Sequence, residues 1–158
     1  MPKFTETTAQ RETGAGICGP FEAVLFSDSG GLSQFGAFLE TLPPGSSSSI
    51  RHWHSEEDEM LYMLEGTLTV HEGAETYTLS PGEAATFKAG VAEGHFAENA
   101  SDAPVRYLVI GTRAARDVVT YPEADRVLRL RRDPESQKIV ERGYTTLGGA
   151  PADSPYGD

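Results

Sequence analysis

His52 and His54 stand i, i+2 in the stretch Arg51-His52-Trp53-His54-Ser55-Glu56-Glu57-Asp58-Glu59, and a third histidine, His95, follows some forty residues on. On an extended strand alternate side chains share a face, so the two imidazoles point one way and Trp53 the other. With Glu59 and His95 brought in by folding, they form a set of three imidazoles and one carboxylate. Such a set suits Fe(II), Mn(II), Zn(II), Ni(II) or Cu(II); it is too rich in nitrogen for Ca²⁺ and offers no thiolate. A six-coordinate ion held by these side chains keeps about two positions for water or substrate, which separates a catalytic site from a structural one. Single histidines usually have no such role, and Glu56–Glu59 alone reads as a solvated acidic turn. The metal reading rests on the pattern as a whole, including Gly66 and His95-x-x-x-Asn99. His71, beside Gly73 in an expected hairpin, reads as a surface residue, and Cys18 as inert.

These groups meet only if the chain bends and two distant strands come together. Glu59 lies an odd number of positions beyond His54, so a straight strand would turn it to the opposite face; a bend is required within Ser55–Asp58. Beyond the bend, Glu59, Leu61 and Met63 share one face, and Met60, Tyr62 and Leu64 the other. His95, Ala97 and Asn99 do likewise on a later strand, which a closed antiparallel barrel can bring alongside. Short segments rich in β-branched and aromatic residues predict strands over Ala23–Ser27, Ser33–Leu42, Ile50–His54, Glu59–Leu64, Thr67–Glu72 and Glu75–Leu79. Further strands are predicted over Ala84–Lys88, His95–Glu98 and Val105–Gly111. Turn signals such as Pro43-Pro44-Gly45, Glu65-Gly66 and Ser80-Pro81-Gly82 separate them, a spacing that favours a sandwich or barrel. Asp117–Tyr121 and Arg126–Arg131 read as edge strands or arms. The organisation expected is an N-terminal arm over 1–20, flexible or loosely docked to residue 16, a barrel over 21–115, and a C-terminal arm over 116–158 whose Gly- and Pro-rich end from Gly148 is disordered.

Composition sets the class. A chain of 158 residues with 38% hydrophobic and 23% charged residues is most simply one globular domain. The formal net charge of −11 argues against nucleic acid and anionic membranes as partners, since both require clustered cations. No run approaches the ~18 apolar residues of a membrane span, and MPKFTETTAQRETG is too polar for a secretory signal. Cys18, alone, excludes an internal disulfide, so the expected location is cytoplasmic. The expected partners are a small-molecule substrate and a second copy of the chain, because the N-terminal arm, the Met60/Tyr62/Leu64 face and Arg126–Arg131 have no evident core of their own.

At this point the chain resembles the cupin superfamily. Gly45-SSSSIR-His52-Trp53-His54-SEED-Glu59-MLYMLE-Gly66 matches the first cupin motif, and Gly82-EAATF-Lys88-Ala89-Gly90-VAEG-His95-FAE-Asn99 the second. Lys88 stands where the family usually has Pro, and the stretch before His95 is two residues longer than usual. The resemblance implies an all-β fold, a jelly-roll-like double-stranded β-helix, with His52, His54, Glu59 and His95 binding a divalent transition metal (Zn, Mn, Fe or Ni) inside it. RHWHSEEDE, APVRYLVIGTR and VVTYPEAD look like a branch of small bacterial cupins sometimes labelled sugar-phosphate isomerases. The activity implied is metal-dependent chemistry on a small oxygenated metabolite, such as isomerisation of a sugar or sugar phosphate. The alternatives are Fe(II)-dependent dioxygenation and non-catalytic carbohydrate binding. Isomerisation needs an acid/base besides the metal; Glu40, Lys88, Glu93 and Tyr107 are the candidates, with Lys88 and Tyr107 put forward as catalytic. Arg51 and Lys88 are the candidates for holding a substrate anion.

Overall fold

The computed structural model describes residues 3–157; Met1, Pro2 and Asp158, at the ends of the two expected arms, lie outside the described residues. In chain order the elements are β1 (Gln10–Gly16), β2 (Gly19–Leu25), a one-turn helix α1 (Phe26–Ser29), β3 (Phe35–Leu42) and β4 (Trp53–His54). There follow β5 (Glu59–Glu65), β6 (Leu68–Glu72), β7 (Glu75–Leu79), β8 (Ala84–Phe87), β9 (His95–Glu98) and β10 (Val105–Thr112). The chain closes with β11 (Arg116–Tyr121), β12 (Arg126–Arg132), β13 (Ile139–Thr145) and β14 (Pro151–Ala152). The strands form a six-stranded sheet in the order β1-β2-β3-β10-β5-β8, a three-stranded sheet β7-β6-β9, and a five-stranded sheet β14-β13-β12-β11-β4. The architecture is all-β and antiparallel, a double-stranded β-helix. No helix is long and apolar enough to cross a membrane.

Alternation along each strand builds the core. Leu42, Met63, Val105 and Tyr107 from the large sheet meet Leu68, Val70 and Ala97 from the small one, all at 0% exposure. Burying each large apolar side chain contributes about 1.5–3 kcal/mol. The turn between β5 and β6 depends on Gly66, at φ +84°; a Cβ there would lie 2.9 Å from Val105 Cγ1. That is why the first motif ends on glycine.

Among the described residues, both terminal segments pair with the rest of the fold. β1 pairs along its whole length with β2, and Phe4 and Phe26 pack on Ala9, Val24 and Leu39, so the N-terminal segment has a small core. β13 and β14 extend the C-terminal sheet. In the connection between them the Leu147 N–H donates to Asp125 Oδ1 at 3.0 Å, and just past β14 the Asp153 carbonyl accepts the Arg126 Nε–H at 2.9 Å. Backbone pairing holds these stretches, and their composition carries no signal for it.

Candidate metal centre

The expected bend between His54 and Glu59 is present, and its acidic side chains hold it. Ser55–Asp58 contains no strand. Asp117 of β11 accepts the Glu56 N–H at 2.9 Å and the Ser55 hydroxyl at 3.2 Å. Asp58 accepts the Ala89 N–H at 2.8 Å, and its own N–H donates to Thr112 Oγ1 at 2.8 Å. Buried Glu57 accepts the Ala114 N–H at 3.0 Å and pairs with Arg132 at 3.1 Å. The second strand arrives through an isolated bridge in which His52 and His95 exchange backbone hydrogen bonds at 3.1 and 2.8 Å.

Four side chains then converge. Glu59 Oε2 lies 3.6 Å from His52 Nε2, 3.4 Å from His54 Nε2 and 2.8 Å from His95 Nε2. His52, His54 and Glu59 offer ligand atoms within 4.8 Å of one another, and His95 joins them through Glu59. Two of the rings are aimed by their other nitrogen: His52 Nδ1 sits 2.8 Å from the Ile50 carbonyl, and His54 Nδ1 2.6 Å from Asp117 Oδ2. An acceptor on Nδ1 fixes the proton there and leaves Nε2 free as a ligand. The Phe87 ring stacks flat on His95 at 3.7 Å between centroids, which sets the third ring. Unprotonated imidazole nitrogens around one carboxylate are the donor set of a borderline divalent ion, so these residues fit a transition metal.

Burial and mutual contacts set the charges of these groups. Burial would push Glu59 up, but its contacts with His52 and His95 and the charge of His54 outweigh burial and hold it well below the usual carboxylate range. Burial likewise pulls His54 down, and the Asp117 hydrogen bond with the carboxylates around it reverses this to a net rise. For His95 burial wins with help from His52, and its value is lowered despite Glu59.

His52, Glu59 and His95 open onto a cavity of about 230 Å³. Strand register orders its wall in levels. Gly111 of β10 is opposite Glu59; Val109 is opposite Leu61 and Phe38; Tyr107 is opposite Met63 and Glu40. Glu40 therefore stands at the floor, a few residues deeper along the wall than Glu59, with an apolar belt between them. The Tyr107 hydroxyl donates to Glu40 Oε2. Burial pushes the Glu40 carboxyl up to about 7, against the Tyr107 hydrogen bond and with a smaller push from Glu12. Burial, then the Glu40 charge, raises the Tyr107 phenol. At the mouth Tyr156 lines the cavity, edge-on to Tyr121 at 5.9 Å, and Tyr121 lies 5.8 Å from His52. The C-terminal segment thus contributes Tyr156 to the cavity lining.

The other candidates fall elsewhere. Lys88 follows inward-facing Phe87 of β8, is exposed, and is absent from this lining; it borders two adjoining depressions, one shared with His54 and His95 and the other with Glu59. Arg51 donates through Nη1 to the Gly73 and Gly94 carbonyls at 3.2 and 2.9 Å, lies over the Phe96 ring and pairs with Glu123 at 2.9 Å. A Cβ on Gly94 would meet its stem at 2.8 Å, so Arg51 clamps the loop that delivers His95. Tyr107 has 0% exposure and reaches the cavity only through Glu40. Glu93 is exposed and lies near Gly73. Asn99 is structural: its amide donates to the Leu42 and Ala103 carbonyls at 2.9 and 2.8 Å. His71 sits between Thr76 and Glu98 on the outer side of β6. Sequence reasoning missed Asp117 and Tyr156. Asp117 is in phase with buried Val119 and Tyr121, a carboxylate on an inward-facing period, and that was its signal.

Comparison with known proteins agrees with this geometry. The family described as Cupin domain matches residues 38–111. The crystal structure of a cupin-superfamily sugar phosphate isomerase from Silicibacter pomeroyi DSS-3 is similar over 98% of this chain and 99% of its own, with 30% identity and a TM-score of 0.82. A protein provisionally named a sugar phosphate isomerase, from Acidithiobacillus ferrooxidans, is similar over 94% of this chain and 92% of its own, with 25% identity and a TM-score of 0.76. A protein described as a predicted oxalate decarboxylase from Thermotoga maritima shares the fold at 22% identity and a TM-score of 0.58, over 68% of this chain and 96% of its own. No curated protein matches the chain.

Proposed function

Since the chain belongs to the cupin superfamily, we propose that it is a metal-dependent enzyme that moves a proton on a small oxygenated metabolite, an isomerase-type reaction. The observation that carries this is the shared cavity: the His52/Glu59/His95 cluster lines one end and Glu40, poised near neutral pH, the other. The isomerase names of the similar structures from Silicibacter pomeroyi and Acidithiobacillus ferrooxidans support the same class.

His52, His54, Glu59 and His95 would hold the ion. When bound, a divalent transition metal supplies Lewis-acid stabilisation of negative charge developing on a substrate oxygen. Glu40 exchanges a proton with the substrate atom that faces the floor, and a value near 7 lets it hold or release that proton at physiological pH. Tyr107 positions Glu40 through its hydroxyl. Phe87 and Tyr156 keep bulk water from the polar end.

The test is deuterium wash-in from D₂O, followed by NMR on a panel of hydroxycarbonyl compounds with metal-reconstituted protein. Exchange at a carbon beside a carbonyl that survives anaerobic conditions and disappears in Glu40→Gln is the expected result. Turnover only in the presence of oxygen, or none across the panel, would contradict it. The reading extends to a homodimer through the outer face of β5, where Tyr62 and Leu64 are 38% and 42% exposed. A monomer mass by light scattering at micromolar concentration would refute that extension.

A further inference from the structure

The lining of the cavity speaks against a phosphate, although two similar structures carry the name of phosphate-bearing substrates. Among the described residues, no Lys or Arg lines it. Of the two cations nearest in sequence to the site, Arg51 is clamped by two carbonyls and Glu123. Lys88 is absent from this lining and borders neighbouring depressions, which it shares with the far sides of His54, His95 and Glu59. The charged side chains that do line the cavity include two carboxyl groups, Glu40 and Glu59, in a chain of net charge −11. A phosphate dianion would surrender its hydration there without the bidentate arginine or helix N-terminus that normally replaces it. The single helix among the described residues, α1, has 4 residues and contributes nothing to the lining.

The walls between the two polar ends are equally selective. Phe38, Leu61 and Val109 form a level without a hydrogen-bonding side chain between Glu59 and Glu40. The serine hydroxyls that border the cavity from the loop side each have a partner within the protein: Ser48 Oγ accepts the Ala97 N–H at 3.0 Å, and Ser49 Oγ lies 3.2 Å from His52 Nδ1. A polyol would leave several hydroxyls unpaired against this belt, and each buried unpaired polar group is penalised. A hydrocarbon segment would gain from it. At about 230 Å³ the cavity is also smaller than the ~300–1,000 Å³ usual for drug-sized ligands.

We propose that the cavity selects a short, unphosphorylated compound with a vicinal oxygen pair at one end, as in an α-keto acid or α-hydroxyketone, and a small branched hydrocarbon segment beyond it. The oxygen pair faces the His52/Glu59/His95 end, the carbon next to the carbonyl is the one turned toward Glu40, and the rest of the hydrocarbon lies against Phe38, Leu61 and Val109. The inference rests on the reading of the cavity as a metal-dependent site.

The test is calorimetric titration of the full-length protein reconstituted with Co(II), with the Co(II) visible spectrum as a second readout. The probes are 4-methyl-2-oxopentanoate, acetoin, fructose, fructose 6-phosphate and inorganic phosphate. The expected result is that 4-methyl-2-oxopentanoate binds at least about ten-fold more tightly than fructose 6-phosphate, with fructose no weaker than its phosphate. Fructose 6-phosphate binding more tightly than both fructose and the keto acid would overturn the inference while leaving the metal reading intact. Failure to take up Co(II) would sink the metal reading instead, and the same titrations on the metal-free protein then decide between phosphate and hydrocarbon. Leu61→Asn, which places a polar group in the belt at similar volume, is expected to erase the keto acid's advantage. An unchanged ratio in a folded Leu61→Asn variant would contradict the role given to the belt.

Discussion

Glu59 and Met63 leave the same face of one strand, and they end in opposite environments. Met63 is at 0% exposure among Leu42, Leu68 and Val105, while the Glu59 side chain is 23% exposed and ringed by three imidazoles. β3 repeats the pattern, with Leu42 in the packed end and Glu40 at the cavity floor. One alternation therefore builds two regions, a filled half that holds the sheets together and a hollow half that holds polar groups apart from water. The difference teaches that stability and chemistry are segregated along the barrel axis. Substitutions at the two ends should then separate cleanly.

The largest separation is expected from a crossed pair of variants. His52→Ala/His54→Ala should lose metal by more than about 100-fold in affinity and keep its cooperative unfolding, checked by metal titration and thermal melts. Met63→Ala should lose about 2–5 kcal/mol in denaturant unfolding and keep its metal. If both properties fall together in either variant, the two halves are not independent.

Glu40 lies at the boundary and is expected to report on both regions. Its folded value of about 7 exceeds the ordinary 4.5, so folding favours its protonated form. That contribution to stability is fully present below pH 4.5 and is lost as pH rises through 7. Glu40→Gln keeps an acceptor for Tyr107 and removes the loss, so the variant should gain on wild type by up to about 3 kcal/mol between these limits. Parallel stability–pH curves for the two proteins would contradict it.

Asp117 acts on the metal through His54 and should show a smaller effect. Asp117→Asn is expected to weaken metal affinity about 10–100-fold, with the ion still bound at saturation. Tyr156→Phe, at the mouth, should change affinity for metal by less than about two-fold and leave the melting curve in place; a large loss of metal would make the C-terminal segment part of the centre itself.

The parts of this comparison differ in how far the sequence reveals them. Where burial alternates, as along Glu59-Met60-Leu61-Tyr62-Met63, the strand and its inward face are readable, and the odd spacing from His54 to Glu59 demands the bend that the structure contains. His52 and His95 can be matched because each belongs to a motif. Asp117 cannot be matched to His54 from spacing, since the contact spans 63 residues and depends on how β11 pairs with β4. Exposed strands such as β1 and β13 show no apolar period, because hydrogen bonding to a neighbour holds them and packing does not. Tyr156 sits in a Gly- and Pro-rich tail whose composition reads as disorder, yet a two-residue strand and the Arg126–Asp153 contact carry it to the mouth. Lys88 stands out because it departs from its motif, and one step past Phe87 sets it on the adjoining depressions shared with His54, His95 and Glu59 instead of in the cavity lining.

The most direct test of the central claim is the metal content of untagged wild-type protein, measured by elemental analysis before and after reconstitution with Fe(II), Mn(II), Zn(II) or Ni(II). The account predicts close to one tightly held divalent transition-metal ion per chain. Protein that stays metal-free after reconstitution with each of them would contradict it.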